Sequence, residues 1–325
     1  MSSSFNPGQF LILGFEGLEP DSRFLDFVKE TPPAGFLLLG ENYQDRNQLK
    51  TLSSRLRADM GDDILIMADQ EPGRVQRFKA GFPQSKTPSQ FIRQGNPKDF
   101  QGWCQETAEK LANAGVNVNL APILDLWPFD RDYPVLNNRS LGDDAGKVIL
   151  FSLIMIEVFR GYRVHTCAKH FPGLGAARGD PHEVLATSDE NLSRFLEYHW
   201  APFRAAVADG VSFVMTTHLL CHSIDSEHCA TFSKNMINHI RYTVRHDGPV
   251  ISDDLCMKGA RGERSIGMAA VDAIIAGHDL VIISRDLDSQ KEAVYAISEH
   301  LEQDPAFGRM AAESRKRLKR IEGIL

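Results

Sequence analysis

"HTCAKHFPGLGAARGDPH", residues 165–182, places two basic side chains, Lys169 and His170, at the end of one short apolar run. Ten to twelve residues further on, across a glycine-rich bend, come Asp180 and His182. A connecting loop that only joins two elements needs neither pair. A buried strand that ends in reactive side chains and then feeds a functional loop is the repeating unit of a barrel enzyme. The fold therefore turns on whether the rest of the chain repeats this unit.

It does. Seven other apolar runs read as strands: "FLILGF" (10–15), "GFLLLG" (35–40), "ILIMAD" (64–69), "VNVNLAPILD" (116–125), "SFVMTTH" (212–218), "PVISDD" (249–254) and "DLVIIS" (279–284). Between them the period changes. Leu49, Leu52, Leu56 and Met60 fall on one helix face, as do Phe100, Trp103, Cys104, Thr107 and Leu111. Gly115, Gly210 and Gly277 stand just before strands, where a left-handed residue ends a helix at little cost.

Strands apolar throughout, rather than alternating, suit a parallel sheet covered on both faces. Eight such modules predict an α/β fold, a (β/α)8 TIM-like barrel. An open doubly wound sheet is the competing topology. No composition break or low-complexity stretch divides residues 1–325, which read as a single catalytic barrel domain.

The bulk properties narrow the partners. The chain has 325 residues, 42% hydrophobic and 24% charged, with a formal net charge of −7. That charge argues against nucleic acid, which needs a basic footprint. The basic cluster "SRKRLKR" (314–320) reads as the solvated face of a terminal helix. No apolar run reaches the roughly 18–20 residues that span a bilayer, and "MSSSFNPGQF" lacks the basic start and apolar stretch of a secretory signal. Five cysteines, scattered without CxxC spacing, are expected as free thiols in a cytoplasmic protein. The oligomeric state is left open, with a monomer compatible.

Polar residues close the strands on one rim. The third runs into Asp69, the fourth into Asp125, the fifth into Lys169 and His170, the sixth into His218, and the seventh into Asp253 and Asp254. Asp125 taken alone reads as a helix cap. Five successive strands ending this way read as convergence on one pocket. Carboxylates without a cofactor motif point to glycosidic bonds, and retention of configuration needs a nucleophile and a proton donor. Asp253 or Asp254 could be the first. A histidine titrates in the range the donor requires, and Asp180 could orient and stabilise His182.

The blocks "ADQEPGRVQRF" (68–78), "NNRSLG" (137–142), "AKHFPGLGAARGDPH" (168–182), "MTTH" (215–218), "ATFS" (230–233) and "ISDDLCMKGA" (251–260) run in the order found in one family. The chain resembles glycoside hydrolase family 3, in particular its single-domain bacterial β-N-acetylglucosaminidases of cell-wall recycling. The resemblance implies that Asp253 is the nucleophile, with Asp254 supporting it. It implies that His182, with Asp180, is an acid/base on a mobile loop. Asp69, Arg139, Lys169 and His170 are implied to bind the sugar, and so is Arg74, for which an ion pair within the rim is the alternative. His218 is expected beside the nucleophile. No metal and no cofactor is expected. The implied substrate is a small carbohydrate, a β-linked N-acetylglucosaminide such as a muropeptide.

Three positions depart from the family pattern: Pro72 for the first of two glycines, Leu174 for the histidine of "PGHG", and Glu41 where many members carry arginine. Rival readings are a phosphorylase of the same family, a metal-dependent barrel hydrolase using His218, Cys221 and His222, and a non-catalytic sugar-binding homologue. "GLGAARG" lacks the full G-x-G-x-x-G of a dinucleotide site.

Overall fold

A computed structural model describes residues 5–94, 96–180 and 184–322. Eight parallel strands are present where the sequence places them. They are β1 (Leu11–Leu13), β2 (Gly35–Leu38), β3 (Leu65–Ala68), β4 (Val118–Asn119), β5 (His165–Phe171), β6 (Phe213–Thr216), β7 (Val250–Asp254) and β8 (Leu280–Ile283). Each pairs with its sequence neighbour, and β8 returns to β1 with Leu11 opposite Val281. The sheet is therefore a closed (β/α)8 barrel and not the open alternative. β4 is shorter than its apolar run because Pro122 offers no N–H to the ladder; contact resumes where Ile123 bridges Lys169.

Alternate residues divide the core in two. Ile12, Leu65, Met67, Cys167, Phe213 and Ile251 pack inside the barrel, while Leu11, Leu13, Ile66 and Ala168 pack outward against the helices. The helix Arg46–Met60 buries Leu49, Leu52 and Leu56, and Pro97–Asn113 buries Phe100, Trp103, Cys104, Thr107 and Leu111. Gly277 ends the helix Ile266–Ala276 at φ 119°, its N–H returning to the carbonyls of Ala273 and Ile274.

The terminal helix Pro305–Glu322 buries Ser314, Leu318 and Ile321 and leaves Lys316, Lys319 and Arg320 exposed. Arg317 departs from that solvated face and reaches Asp279 at 2.9 Å. Among the described residues no helix is long and apolar enough to cross a membrane. All five cysteines are free thiols, four of them buried.

Four buried histidines couple this core to pH. Burial pushes His165, His199 and His246 down to about 4 and His278 to about 3, against the ordinary 6.5. Between those values and 6.5 the unfolded chain binds more protons than the folded one. Their contribution is thus complete above pH 6.5 and is lost as pH falls towards 4. Urea unfolding is expected to show a midpoint that drops steadily from pH 7 to pH 4. A midpoint flat over that range would contradict the neutral, buried assignment.

Candidate active site

The inward rows of the barrel carry the site. Leu65 and Met67 of β3 face the interior, and the same alternation continues to Asp69. Cys167 leads in the same way to Lys169, Ile251 to Asp253, and Ile282 to Ser284. All four reach the C-terminal mouth, where barrel enzymes place their chemistry. Asp254 falls on the opposite parity, towards β8.

On the β3–β5 side the charges form one buried network. Lys169 Nζ donates to Asp69 Oδ1 at 2.7 Å and lies 2.8 Å from Glu71 Oε1. Arg139 grips Glu71 with two bonds, Nε to Oε2 at 2.9 Å and Nη2 to Oε1 at 2.8 Å. Arg77 Nη2 reaches the other oxygen of Asp69 at 2.9 Å. Burial raises the carboxyl pKa of Glu71, but Arg139 and Lys169 outweigh it and hold the group at about 2. Asp69 is likewise raised by burial and carried well below the carboxylate range by Lys169 and Arg77. Both are ionised acceptors.

Asp125 is not a helix cap. Its carboxylate takes the His170 ring Nδ1–H at 2.6 Å and the Leu174 N–H at 2.6 Å, and Asp144 caps the following helix instead. This fixes the His170 tautomer and leaves Nε2 turned towards Arg139, 3.5 Å away.

The two carboxylates of β7 have different surroundings. Asp254 accepts the Ser284 hydroxyl, the Ser284 N–H at 3.2 Å and the Cys256 N–H at 3.0 Å, so it ties β7 to β8. Asp253, half-buried, accepts the Asp254 N–H at 2.9 Å. His218 lies beneath them, fully buried. Its Nε2–H donates to the Asp254 carbonyl at 3.1 Å, and Nδ1 meets the Thr231 hydroxyl at 2.8 Å. Residues 219–221 form a short strand rather than a helix, and His222 is exposed, so "HLLCH" does not present one metal-binding face.

A central cavity of about 430 Å³ brings together Asp69, Arg139, Lys169, His170, Asp253 and Asp254. An outer cavity of about 840 Å³ shares Arg77 and Arg139 with it, and is lined by Arg74, Lys79, Tyr43 and Asp180. The Arg74 guanidinium donates to the Pro134 and Val135 carbonyls at 2.7 and 3.3 Å, which replaces the ion pair considered for it. His182 lies outside the described residues. The chain leading to it is anchored: the Tyr133 hydroxyl donates to the Gly179 carbonyl at 2.8 Å, and Arg178 and Thr187 exchange backbone bonds.

Sequence reasoning passed over Glu71, Arg77 and Arg285, which pairs with Glu41 at 3.3 Å and lines the central cavity. Glu71 carried a signal, since it extends the inward parity of Asp69. The departures are absorbed locally. Positive φ falls on Gly73, at 91°, where an added Cβ would sit 2.3 Å from the Asn138 carbonyl, so Pro72 occupies the position next to it without that demand. Leu174 joins Tyr133, Val135 and Leu136 in a small apolar cluster.

A closed parallel barrel with paired carboxylates and a cation-lined polar cavity at its C-terminal mouth defines a TIM-barrel enzyme. Residues 13–315 match the model described as glycosyl hydrolase family 3 N terminal domain. The chain belongs to that family and is a glycoside hydrolase. It is 30% identical over 270 residues to a beta-hexosaminidase of Nitrosomonas eutropha, covering 81% of this chain and 77% of that protein. Among solved structures, a beta-N-acetylhexosaminidase from Beutenbergia cavernae superposes with a TM-score of 0.90 at 25% identity, covering 98% of this chain and 97% of that one. A family 3 beta-N-acetylglucosaminidase from Paenibacillus sp. strain FPU-7 gives a TM-score of 0.89 at 28% identity, covering 98% of this chain; the chain spans 62% of that longer protein.

Proposed function

We propose that the chain, as one catalytic domain over residues 1–325, is a retaining β-N-acetylhexosaminidase. It removes non-reducing terminal β-linked N-acetylglucosamine, from peptidoglycan-derived fragments in the cytoplasm. The observation that carries this reading is the position of Asp253. It continues an inward strand row and faces a wall of ionised, hydrogen-bonding groups across one cavity. Asp69, Lys169, Arg139 and His170 bind the sugar hydroxyls, and Arg74 borders the aglycone side.

In the first step the Asp253 carboxylate bonds to the anomeric carbon as the glycosidic C–O bond breaks. His182 gives its proton to the departing oxygen, and a glycosyl-aspartate remains. Asp180, on the outer cavity, orients the imidazole and stabilises its cationic form. In the second step the neutral imidazole takes a proton from water as the water attacks, and Asp253 leaves with the β-configuration restored. Asp254 and His218 hold the nucleophile's strand end in place.

The cations Arg74 and Lys79 on the outer cavity favour a second acceptor, inorganic phosphate. One assay separates the two. A chromogenic β-N-acetylglucosaminide is expected to release N-acetylglucosamine, initially as the β-anomer by NMR, at a rate independent of phosphate. A sugar 1-phosphate product would reject hydrolysis, and an α-configured first product would reject retention. His182→Ala is expected to slow poor leaving groups by about 10²–10⁴-fold and activated aryl glycosides much less; equal loss on both would remove His182 as the acid.

A further inference from the structure

The central cavity has two unlike walls. Towards β3–β5 the cations that line it are all committed: Arg77 and Lys169 to Asp69, Arg139 to Glu71. Towards β2, β7 and β8 the lining sets Asp253, Asp254 and Ser284 beside an apolar stretch, Leu37, Leu39, Cys256, Met257 and Ile282, and one guanidinium, Arg285. Its backbone is held down on both sides. Ser284 is bonded to Asp254, the Cys256 thiol lies 3.7 Å from the Arg285 carbonyl, and Asp286 turns the chain away at φ 64° to cap the next helix.

The charge of Arg285 is only loosely held. Its partner Glu41 belongs to the segment after β2, so the pair bridges over the end of β1. The contact is a single one at 3.3 Å, with 54% of the Arg285 side chain and 35% of the Glu41 side chain exposed. A guanidinium in this state can keep Glu41 on one edge and donate to a ligand from the other. The network cations, each fixed to a buried carboxylate, have less freedom to do so.

The proposed pose points to the ligand group. It sets C1 at Asp253 and the distal hydroxyls on the charged wall, so that the substituent on C2, the carbon next to C1, is directed to the β7–β8 side where Arg285 lines the cavity. An N-acyl group offers a methyl, which suits Leu39 and Met257, and a carbonyl oxygen, which needs one donor. We infer that Arg285, positioned by Glu41, is a specificity-determining residue that donates to the acyl oxygen of the 2-acetamido group. The inference rests on the hydrolase reading above and names the group which that site selects.

The test compares chromogenic β-N-acetylglucosaminide with the matching β-glucoside on wild type, Arg285→Ala, Arg285→Lys and Glu41→Gln, with thermal melts confirming that each variant folds. Loss of one charged donor is expected to lower kcat/KM for the N-acetyl substrate about 30-fold in Arg285→Ala and to leave the glucoside within about twofold. Arg285→Lys recovers part of the ratio, and Glu41→Gln raises KM for the N-acetyl substrate with little change in kcat. Where glucoside turnover is too slow to read, competitive inhibition by N-acetylglucosamine against glucose gives the same ratio. Equal losses on both sugars, or no loss on either, overturn the assignment while leaving the hydrolase intact. A wild type that cleaves neither sugar overturns the hydrolase reading and the assignment with it.

Discussion

Replacing Asp253 with alanine is expected to lower kcat/KM for β-N-acetylglucosaminides by about 10⁴-fold while leaving the protein folded. The size of the loss follows from its role. In the proposed mechanism Asp253 bonds to the anomeric carbon as the leaving group departs, and no neighbour is placed to take over. Asp254 is turned to β8 and occupied by Ser284 and two backbone N–H groups. The fold is spared because Asp253 is half-buried and, among the described residues, accepts a single local bond, from the next residue. A fluorinated sugar that slows the second step should leave its mass on the peptide carrying Asp253. An adduct on Asp254, or turnover by the alanine variant within tenfold of wild type, would move the nucleophile elsewhere.

The second large effect is on stability. Glu71 is wholly buried and compensates two cations, Arg139 and Lys169. Glu71→Ala removes that charge and strands a guanidinium with 9% exposure beside an ammonium with 2%. Breaking a buried pair in this way costs about 3–5 kcal/mol, readable from the urea midpoint and slope. The double variant Glu71→Met, Arg139→Met should lie closer to wild type than Glu71→Ala, since the guanidinium is no longer left unpaired. If Glu71→Ala unfolds at the wild-type midpoint, the network is not holding charge in the way the distances imply.

These expectations rest unequally on what the chain shows before it folds. The eight strands were legible because each is a short apolar run, three of them preceded by a helix-ending glycine, and the helices because their buried residues keep a 3.6 period. Asp69, Lys169 and Asp253 were legible as strand ends. The identity of the Asp125 partner was not: an aspartate after a strand is chemically indistinguishable from a cap until His170 and Leu174 arrive beside it. Arg74 likewise found carbonyls of a distant loop rather than a carboxylate.

The sequence by itself determined the barrel and the rim on which the chemistry sits, while it left Asp253 and Asp254 as alternatives. These are local properties, set by strand period and by the residue that ends each strand. Only the tertiary structure decided which charges neutralise one another. Glu71 and Arg139 stand 68 positions apart, Asp69 and Lys169 100 apart, and Glu41 and Arg285 come from opposite ends of the chain. Closing the sheet brings β8 round to β1 and β2, and no pattern within a single segment encodes a pair formed by that closure. The division has a physical cause: burial direction is written in the spacing of neighbours, whereas charge compensation depends on who is within about 4 Å, which only the packed barrel sets.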